Sequence, residues 1–93
     1  MRVIHKQQVT PLNPFFICNF NKVVHFDTQG KSLNVWYEVD KELQLCRSAQ
    51  FLVVPTGADY EPYWKHKQSL VHPNGTVWHL LEETDPILEI AKI

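Results

Sequence analysis

The pattern of apolar and polar residues divides the chain into short segments rich in Val, Ile, Phe, Trp and Tyr, which are typical of strands. In "KVVHFDTQGKSLNVWYEVD", residues 22–40, apolar and polar residues alternate on both sides of Gln29-Gly30, and this predicts a hairpin. A turn at these two residues places Val24 opposite Val35 on an apolar face of the ribbon.

A second hairpin is predicted for "QSLVHPNGTVWHLLE", residues 68–82. Pro-Asn-Gly at 73–75 suits a type I turn in which the glycine takes the left-handed conformation and forms a bulge. In this register Leu70 lies opposite Trp78, which we expect to fill the core. His79 then lies on the other face, where we expect a hydrogen bond within the fold rather than chemistry.

Three further segments have the composition of strands: residues 2–9, 15–20 and 49–57. Residues 58–67 are predicted to form a loop that crosses back to the last hairpin. Together these elements predict a mainly β fold, a small antiparallel barrel or sandwich of about six or seven strands.

The domain is predicted to span residues 1–83, followed by a C-terminal tail at 84–93. In the tail, Thr84 or Asp85 can cap a short helix that has Pro86 in its first turn, although so short a segment is stable only when docked. Residues 41–46 are compatible with a loop or with one helical turn.

The charge balance excludes the obvious polyelectrolyte functions. Nine Lys and Arg residues against ten Asp and Glu residues give a formal charge of −1, so no overall attraction for nucleic acid exists. An apolar fraction of 44% in 93 residues indicates one folded domain rather than disorder.

The cysteines and the first residues predict a cytoplasmic protein. Cys18 and Cys46 lack the spacing of a zinc or redox motif, and we expect two buried thiols in a reducing compartment. The start "MRVIHKQQV" has no apolar signal region, and no apolar run approaches the length of a membrane span.

Four motifs in order along the chain suggest a family. They are "MRVIHK" at the start, "VVHFDTQGKSLNVWYEVD", "FLVVPTG" and "YWKHKQSLVHPNGTVWHLLEE". With these motifs, residues 1–83 resemble a family of small uncharacterised proteins from tailed bacteriophages and prophages. The resemblance implies a phage or prophage origin and a small β fold, and it implies no activity. The chain departs from the family in residues 58–67, which are more aromatic and basic, and in its tail.

Neither a metal site nor an enzyme is expected. No pair among the five histidines has a ligand spacing such as HxH on a strand, and no carboxylate is grouped with them. No nucleophile motif and no phosphate-binding glycine loop is present, so we expect no catalysis and no cofactor.

The strongest candidate for a binding site is the aromatic and basic segment in the predicted crossing loop. Exposed aromatic rings beside cations suit either a protein interface or stacking on a base with the amines on phosphate. Alternatively, Tyr63 and Trp64 pack as a lid over the end of the barrel, with the lysines solvated. The candidate residues are Tyr60, Tyr63, Trp64, Lys65, His66 and Lys67.

Together with the resemblance, which alone implies the phage setting, these observations predict a small bacteriophage accessory protein that acts in the host cytoplasm by binding. We expect a protein partner from the host or the phage, as in host takeover or counter-defence. Two alternatives stay open: sequestration of a nucleotide or nucleic acid by the same segment, and a structural subunit that forms a homo-oligomer. No membrane partner is expected.

Overall fold

The computed structural model describes residues 1–41 and 48–84. Within these residues the chain forms seven strands in two sheets, and every strand pair is antiparallel. One sheet has the order β1-β4-β3, the other the order β2-β5-β7-β6, and the two pack as a sandwich rather than a closed barrel. The mainly β prediction is therefore confirmed. The strands are β1 (Arg2–Val9), β2 (Phe15–Cys18), β3 (Phe20–Gln29), β4 (Ser32–Asp40), β5 (Ser48–Pro55), β6 (Lys65–Val71) and β7 (Val77–Thr84).

The main core lies between the two sheets and is centred on Phe51. Its side chain is fully buried, with its ring centre 5.5 Å from that of Phe15 in a stacked arrangement and 5.1 Å from that of Phe20 in an edge-on one. Phe15 and Phe51 belong to the four-stranded sheet and Phe20 to the three-stranded one. Because alternate residues of each strand face inward, one layer of aromatic rings joins both sheets.

The turn of the β3–β4 hairpin lies one residue beyond its predicted position, and this shifts the pairing of the two strands by two residues. Gln29 pairs with Ser32, so the loop consists of Gly30 and Lys31, with Gly30 at a φ of +63°. Type II′ turns need a positive φ at the first loop residue, and this position is usually glycine. Strand faces repeat every two residues, so this displacement leaves the inward face of β4 unchanged.

Val24 does not take the position that the sequence predicted. Phe26, not Val24, lies opposite Val35, and the ladder shifts register between Val23 and His25. This irregularity leaves the Val24 side chain 40% exposed. The prediction that Val24 pairs with Val35 is therefore wrong, because the displaced turn brings Phe26 opposite Val35 and the bulge then leaves Val24 without a partner in the ladder.

The β6–β7 hairpin confirms the predicted register and turn. Leu70 lies opposite Trp78, and Gly75 has a φ of +91° with its N–H donating to the carbonyl of His72 at 2.8 Å. Trp78 packs against the main core. Leu81 belongs to a separate cluster on the outer face of the sheet.

The predicted strand at 15–20 is divided by a change of sheet. Asn19 separates β2 from β3 and has a φ of +56°, a conformation that asparagine tolerates better than most residues. The chain therefore passes from the four-stranded to the three-stranded sheet through one residue.

One of the remaining predictions is wrong, and the others concern residues outside the described part of the chain. The side chain of Cys18 is exposed, so the prediction that both thiols are buried is wrong for this residue, and Cys46 lies outside the described residues. The alternatives for 41–46 lie outside them too, except for a turn at Lys41. Thr84 is the last residue of β7, and the predicted helix beyond it lies outside the described part of the chain.

Candidate functional site

The outer face of the four-stranded sheet carries a small apolar cluster that is covered by a loop. Val54 of β5 and Leu81 of β7 are buried there beneath the indole ring of Trp64, which is only 7% exposed. Trp64 is the last residue before β6, and its backbone N–H donates to the backbone carbonyl of Glu61 at 3.1 Å. The loop between β5 and β6 is therefore anchored to the sheet by its final aromatic residue.

Two tyrosines of the same loop are about half exposed to solvent. Tyr60 is 48% exposed and Tyr63 is 52% exposed, and the ring centre of Tyr63 lies 5.8 Å from that of Trp64. Of the two residues in the alternative lid, Trp64 is packed down, on the outer face of the sheet, whereas Tyr63 is exposed.

A cleft opens between this loop and the sheet. Its volume is about 310 Å³, and its floor is formed by Leu52 and Trp64. Tyr60 provides an aromatic wall, and the carboxyl groups of Asp59 and Glu61 line the same cleft. The arrangement combines an apolar floor with an acidic rim, which suits an apolar side chain that lies next to a cation.

The three basic candidates do not lie in the loop. Lys65, His66 and Lys67 are the first residues of β6, which begins seven residues beyond the start of the predicted crossing loop. The ladder shifts register between His66 and Gln68, so Lys67 occupies a bulge. The prediction that residues 65–67 are loop residues is wrong, because pairing with β7 extends the strand toward Trp64.

The bulge also separates the lysine from the aromatic residues. The Nζ atom of Lys67 lies 3.8 Å from Oε2 of Glu82, which alternates with Leu81 and so belongs to the opposite face of the sheet from Trp64. Lys67 and Glu82 line another cleft of about 270 Å³ together with Phe20 of the other sheet. The predicted aromatic and basic cluster is thus divided between two sides of the sheet.

A chain of hydrogen bonds crosses the outer face beside the apolar cluster. The Oγ atom of Ser69 lies 2.7 Å from Nδ1 of His79 and 2.7 Å from Nε2 of His66. The other ring nitrogen of His79, Nε2, lies 2.7 Å from Oγ1 of Thr56. The expectation that His79 makes a hydrogen bond within the fold is confirmed.

The end of the sandwich holds a third cleft, of about 310 Å³. His72, Asn74 and Trp78 line it from the β6–β7 hairpin, and Lys31 lines it from the β3–β4 turn. Among the described residues, the indole nitrogen of Trp78 is the one buried side-chain nitrogen or oxygen without a hydrogen-bond partner. The segment "HPNGTVWH" thus contributes residues both to this cleft and to the outer face.

Sequence reasoning missed several residues of the outer face. Leu52 was assigned only to the predicted strand at 49–57, and Ser69 and Thr56 were given no role. Alternation along β5 separates Leu52 from its inward neighbours Phe51 and Val53, so this signal was present in the sequence. Ser69 and Thr56 meet His79 only through the pairing of three strands, which no local pattern encodes.

In residues 1–41 and 48–84, no group of three or more His, Cys, Asp or Glu side chains is placed to hold a metal ion. The same residues include no helix with the length and apolar character needed to cross a membrane.

Comparison with known proteins gives one match. A family model described as "Domain of unknown function (DUF7352)" matches residues 1–90. No curated protein and no solved structure matches the chain. The expectation of an uncharacterised family is confirmed, and the bacteriophage or prophage origin stays a prediction.

Proposed function

The chain belongs to the DUF7352 family, and we propose that this member is a non-enzymatic protein that acts by binding another protein. The proposed docking surface is the aromatic cleft, lined by Leu52, Tyr60 and Trp64 with their acidic neighbours, together with Tyr63 beside the Trp64 ring. One observation carries the proposal: both tyrosines expose about half of their surface on a loop that Trp64 anchors.

Anchored aromatic rings suit an interface for energetic reasons. Tyr and Trp are enriched among the residues that contribute most to binding, and a ring that is already held in place loses less conformational entropy on association. Trp64 supplies the fixed position, because its ring is packed on Val54 and Leu81. Tyr60 and Tyr63 supply the accessible surface.

The rim of the cleft indicates the chemistry of the partner. Asp59 and Glu61 both line the cleft beside the ring of Tyr60. A Lys or Arg side chain can pair with these carboxylates and lie over a tyrosine face, while an adjacent apolar side chain enters toward Leu52. The partner in this proposal therefore presents a cation next to an apolar residue.

The biological setting is part of the same proposal. The resemblance to small proteins of tailed bacteriophages and prophages supports a phage or prophage origin and action in the host cytoplasm. Within that setting, a host or phage protein is the partner, as host takeover or counter-defence requires.

Binding of a nucleotide or nucleic acid has less support than binding of a protein. Of the three basic candidates, His66 faces the same side of the sheet as the aromatic cleft, whereas Lys67 pairs with Glu82 on the other side. The carboxylates of Asp59 and Glu61 repel phosphate at the rim. The rings alone can stack on a base, but Lys65, which lies opposite Glu82, and Lys67 are both on the other face of the sheet from the rings.

Site-specific photocrosslinking tests the docking surface directly. A photoreactive phenylalanine analogue replaces Tyr63 in one variant and Val24 in a matched control, because Val24 is also exposed but lies on the other sheet. In bacterial cells, we expect one crosslinked protein from position 63 that is absent from position 24. Equal crosslinking from both positions, or none from position 63, contradicts the proposal.

The affinity of the identified partner then tests the two tyrosines. The double substitution Tyr60→Ala and Tyr63→Ala should weaken binding by at least about tenfold, since each anchor contributes more than about 1 kcal/mol. Trp64 is left unchanged in this experiment, because its removal would damage the cluster beneath it.

The two alternatives predict different results. If the crosslinked protein is a second copy of the chain, and light scattering shows a stable oligomer, the homo-oligomeric subunit replaces the proposal. If nucleotides or short oligonucleotides raise the melting temperature in a salt-dependent manner, sequestration of nucleic acid replaces it.

A further inference from the structure

Two histidine nitrogens converge on one point of the outer face. Nε2 of His66 and Nδ1 of His79 each lie 2.7 Å from Oγ of Ser69. The two ring centres are 5.6 Å apart, with an angle of 59° between the ring planes. Two imidazoles that share one ion, with nitrogen–metal bonds of about 2.0–2.1 Å, have ring centres roughly 5–6 Å apart.

A bulge in β6 creates this convergence. His66 and Ser69 are three residues apart, and in a regular strand they would face opposite sides of the sheet. The register shift between His66 and Gln68 adds Lys67 as an extra residue, so both side chains reach the outer face. His79 lies directly opposite Ser69 on β7 and completes the group.

The second shell of His79 has the form found around metal ligands. A histidine that binds an ion through one ring nitrogen usually donates the other N–H to a fixed acceptor. Nε2 of His79 lies 2.7 Å from Oγ1 of Thr56, which can accept that N–H and leave the lone pair of Nδ1 directed at the shared point. Thr56 is itself held by a backbone hydrogen bond, in which its N–H donates to the carbonyl of Val77 at 3.1 Å.

We propose that His66 and His79 form a binding site for a divalent ion of the zinc class, with the Ser69 hydroxyl and water completing the coordination. Imidazole nitrogen suits Zn²⁺, Ni²⁺ and Cu²⁺, whereas Mg²⁺ and Ca²⁺ require oxygen ligands. The spacing of the histidines in the sequence gave no reason to expect this site. It arises from the pairing of two strands and one bulge, and it does not depend on the aromatic cleft.

Calorimetric titration of the full chain with Zn²⁺ tests the proposal, and Mg²⁺ serves as the control ion. We expect one equivalent of Zn²⁺ to bind and no binding of Mg²⁺. His66→Ala and His79→Ala should each weaken Zn²⁺ binding by more than about tenfold, and Thr56→Val by about tenfold through the loss of the second-shell acceptor. His5→Ala and His25→Ala, which change histidines of the other sheet, should leave the affinity unchanged.

Three results would overturn the site. They are no binding of Zn²⁺ to the unaltered chain, an unchanged affinity in His66→Ala, and an equal loss in His5→Ala. Circular dichroism checks that each variant is folded. If His79→Ala fails to fold, His66→Ala decides the question, because the side chain of His66 is exposed and contributes little to the core.

Discussion

The imidazole Nε2 atom of His72 lies 3.0 Å from the carbonyl oxygen of Lys31, and this contact joins the turns of two hairpins that belong to different sheets. Nδ1 of the same ring accepts the N–H of Asn74 at 3.1 Å. Because Nδ1 accepts a hydrogen bond here, the N–H of the ring is at Nε2, and it donates a hydrogen bond to the backbone carbonyl of Lys31. One imidazole ring therefore links the two turns at this end of the sandwich.

Removal of this ring should destabilise the fold. His72→Ala loses both hydrogen bonds, and we expect the free energy of unfolding to fall by about 1–2 kcal/mol. Urea denaturation measures the difference, with His5→Ala as the control because His5 is exposed on β1. Equal stability of the two variants would show that the contact between the turns contributes nothing.

A second prediction concerns the pKa of Asp27. The N–H of Thr28 donates to Oδ1 of Asp27 at 2.7 Å, and this bond, with a smaller effect of His25 at 3.2 Å from Oδ2, lowers the pKa of the carboxyl below 3.8. A lowered pKa in the folded state means that the carboxylate stabilises the fold above about pH 3.8, and that this contribution disappears as the pH falls through the folded pKa.

Titration by NMR should give a midpoint for Asp27 below 3.8. In His25→Ala the midpoint should rise but stay below that value, because the Thr28 N–H is still present. In Asp27→Asn, the loss of melting temperature between about pH 5 and about pH 2 should be smaller than in the unaltered chain. A midpoint at or above 3.8 for Asp27 would refute the assignment.

A third prediction tests the two faces of the four-stranded sheet. Phe51 is fully buried, whereas Phe16 on the neighbouring strand is 62% exposed. Phe51→Ala should therefore reduce the free energy of unfolding by about 3–5 kcal/mol, while Phe16→Ala should change it by no more than about 0.5 kcal/mol. Chemical denaturation of both variants checks the difference, and a similar loss in the two would contradict the described alternation.

A fourth prediction concerns the backbone at Gly75. Its φ of +91° is unfavourable for an L-residue, yet a Cβ added there would meet no atom within 4 Å. Gly75→Ala should cost about 1 kcal/mol or more through backbone strain alone. D-alanine, introduced by chemical ligation, should restore at least the stability of glycine, because it favours positive φ. If D-alanine is as destabilising as L-alanine, a steric cause is present instead.

Local signals predicted the last hairpin more accurately than the first. Pro-Asn-Gly at 73–75 specifies its own turn geometry, so the pairing of Leu70 with Trp78 followed directly. Gln29-Gly30 specifies a turn only weakly, and the hairpin instead closes at Gly30 and Lys31. The faces of β4 were still predicted correctly because a displacement of two residues preserves alternation.

The candidate site was predictable only in part. The local composition predicted that Tyr60 and Tyr63 lie on a surface loop, because the segment combines aromatic residues with Pro62 and charged residues. The start of β6 has no strand pattern in "KHKQ", so its pairing with β7 could not be read locally. The meeting of His66 with His79 needs both the register of two strands and the bulge at Lys67, which are tertiary features.

The change of sheet at Asn19 has a consequence for the order of folding. β2 pairs with β5, so Cys18 meets Ser48 only after thirty further residues are in place, whereas β3 pairs with the next strand along the chain. Contacts between residues distant in sequence close late, because the entropy of loop closure must be overcome first. During synthesis, the apolar side chains of Phe15 and Ile17 therefore stay unpaired until β5 has emerged.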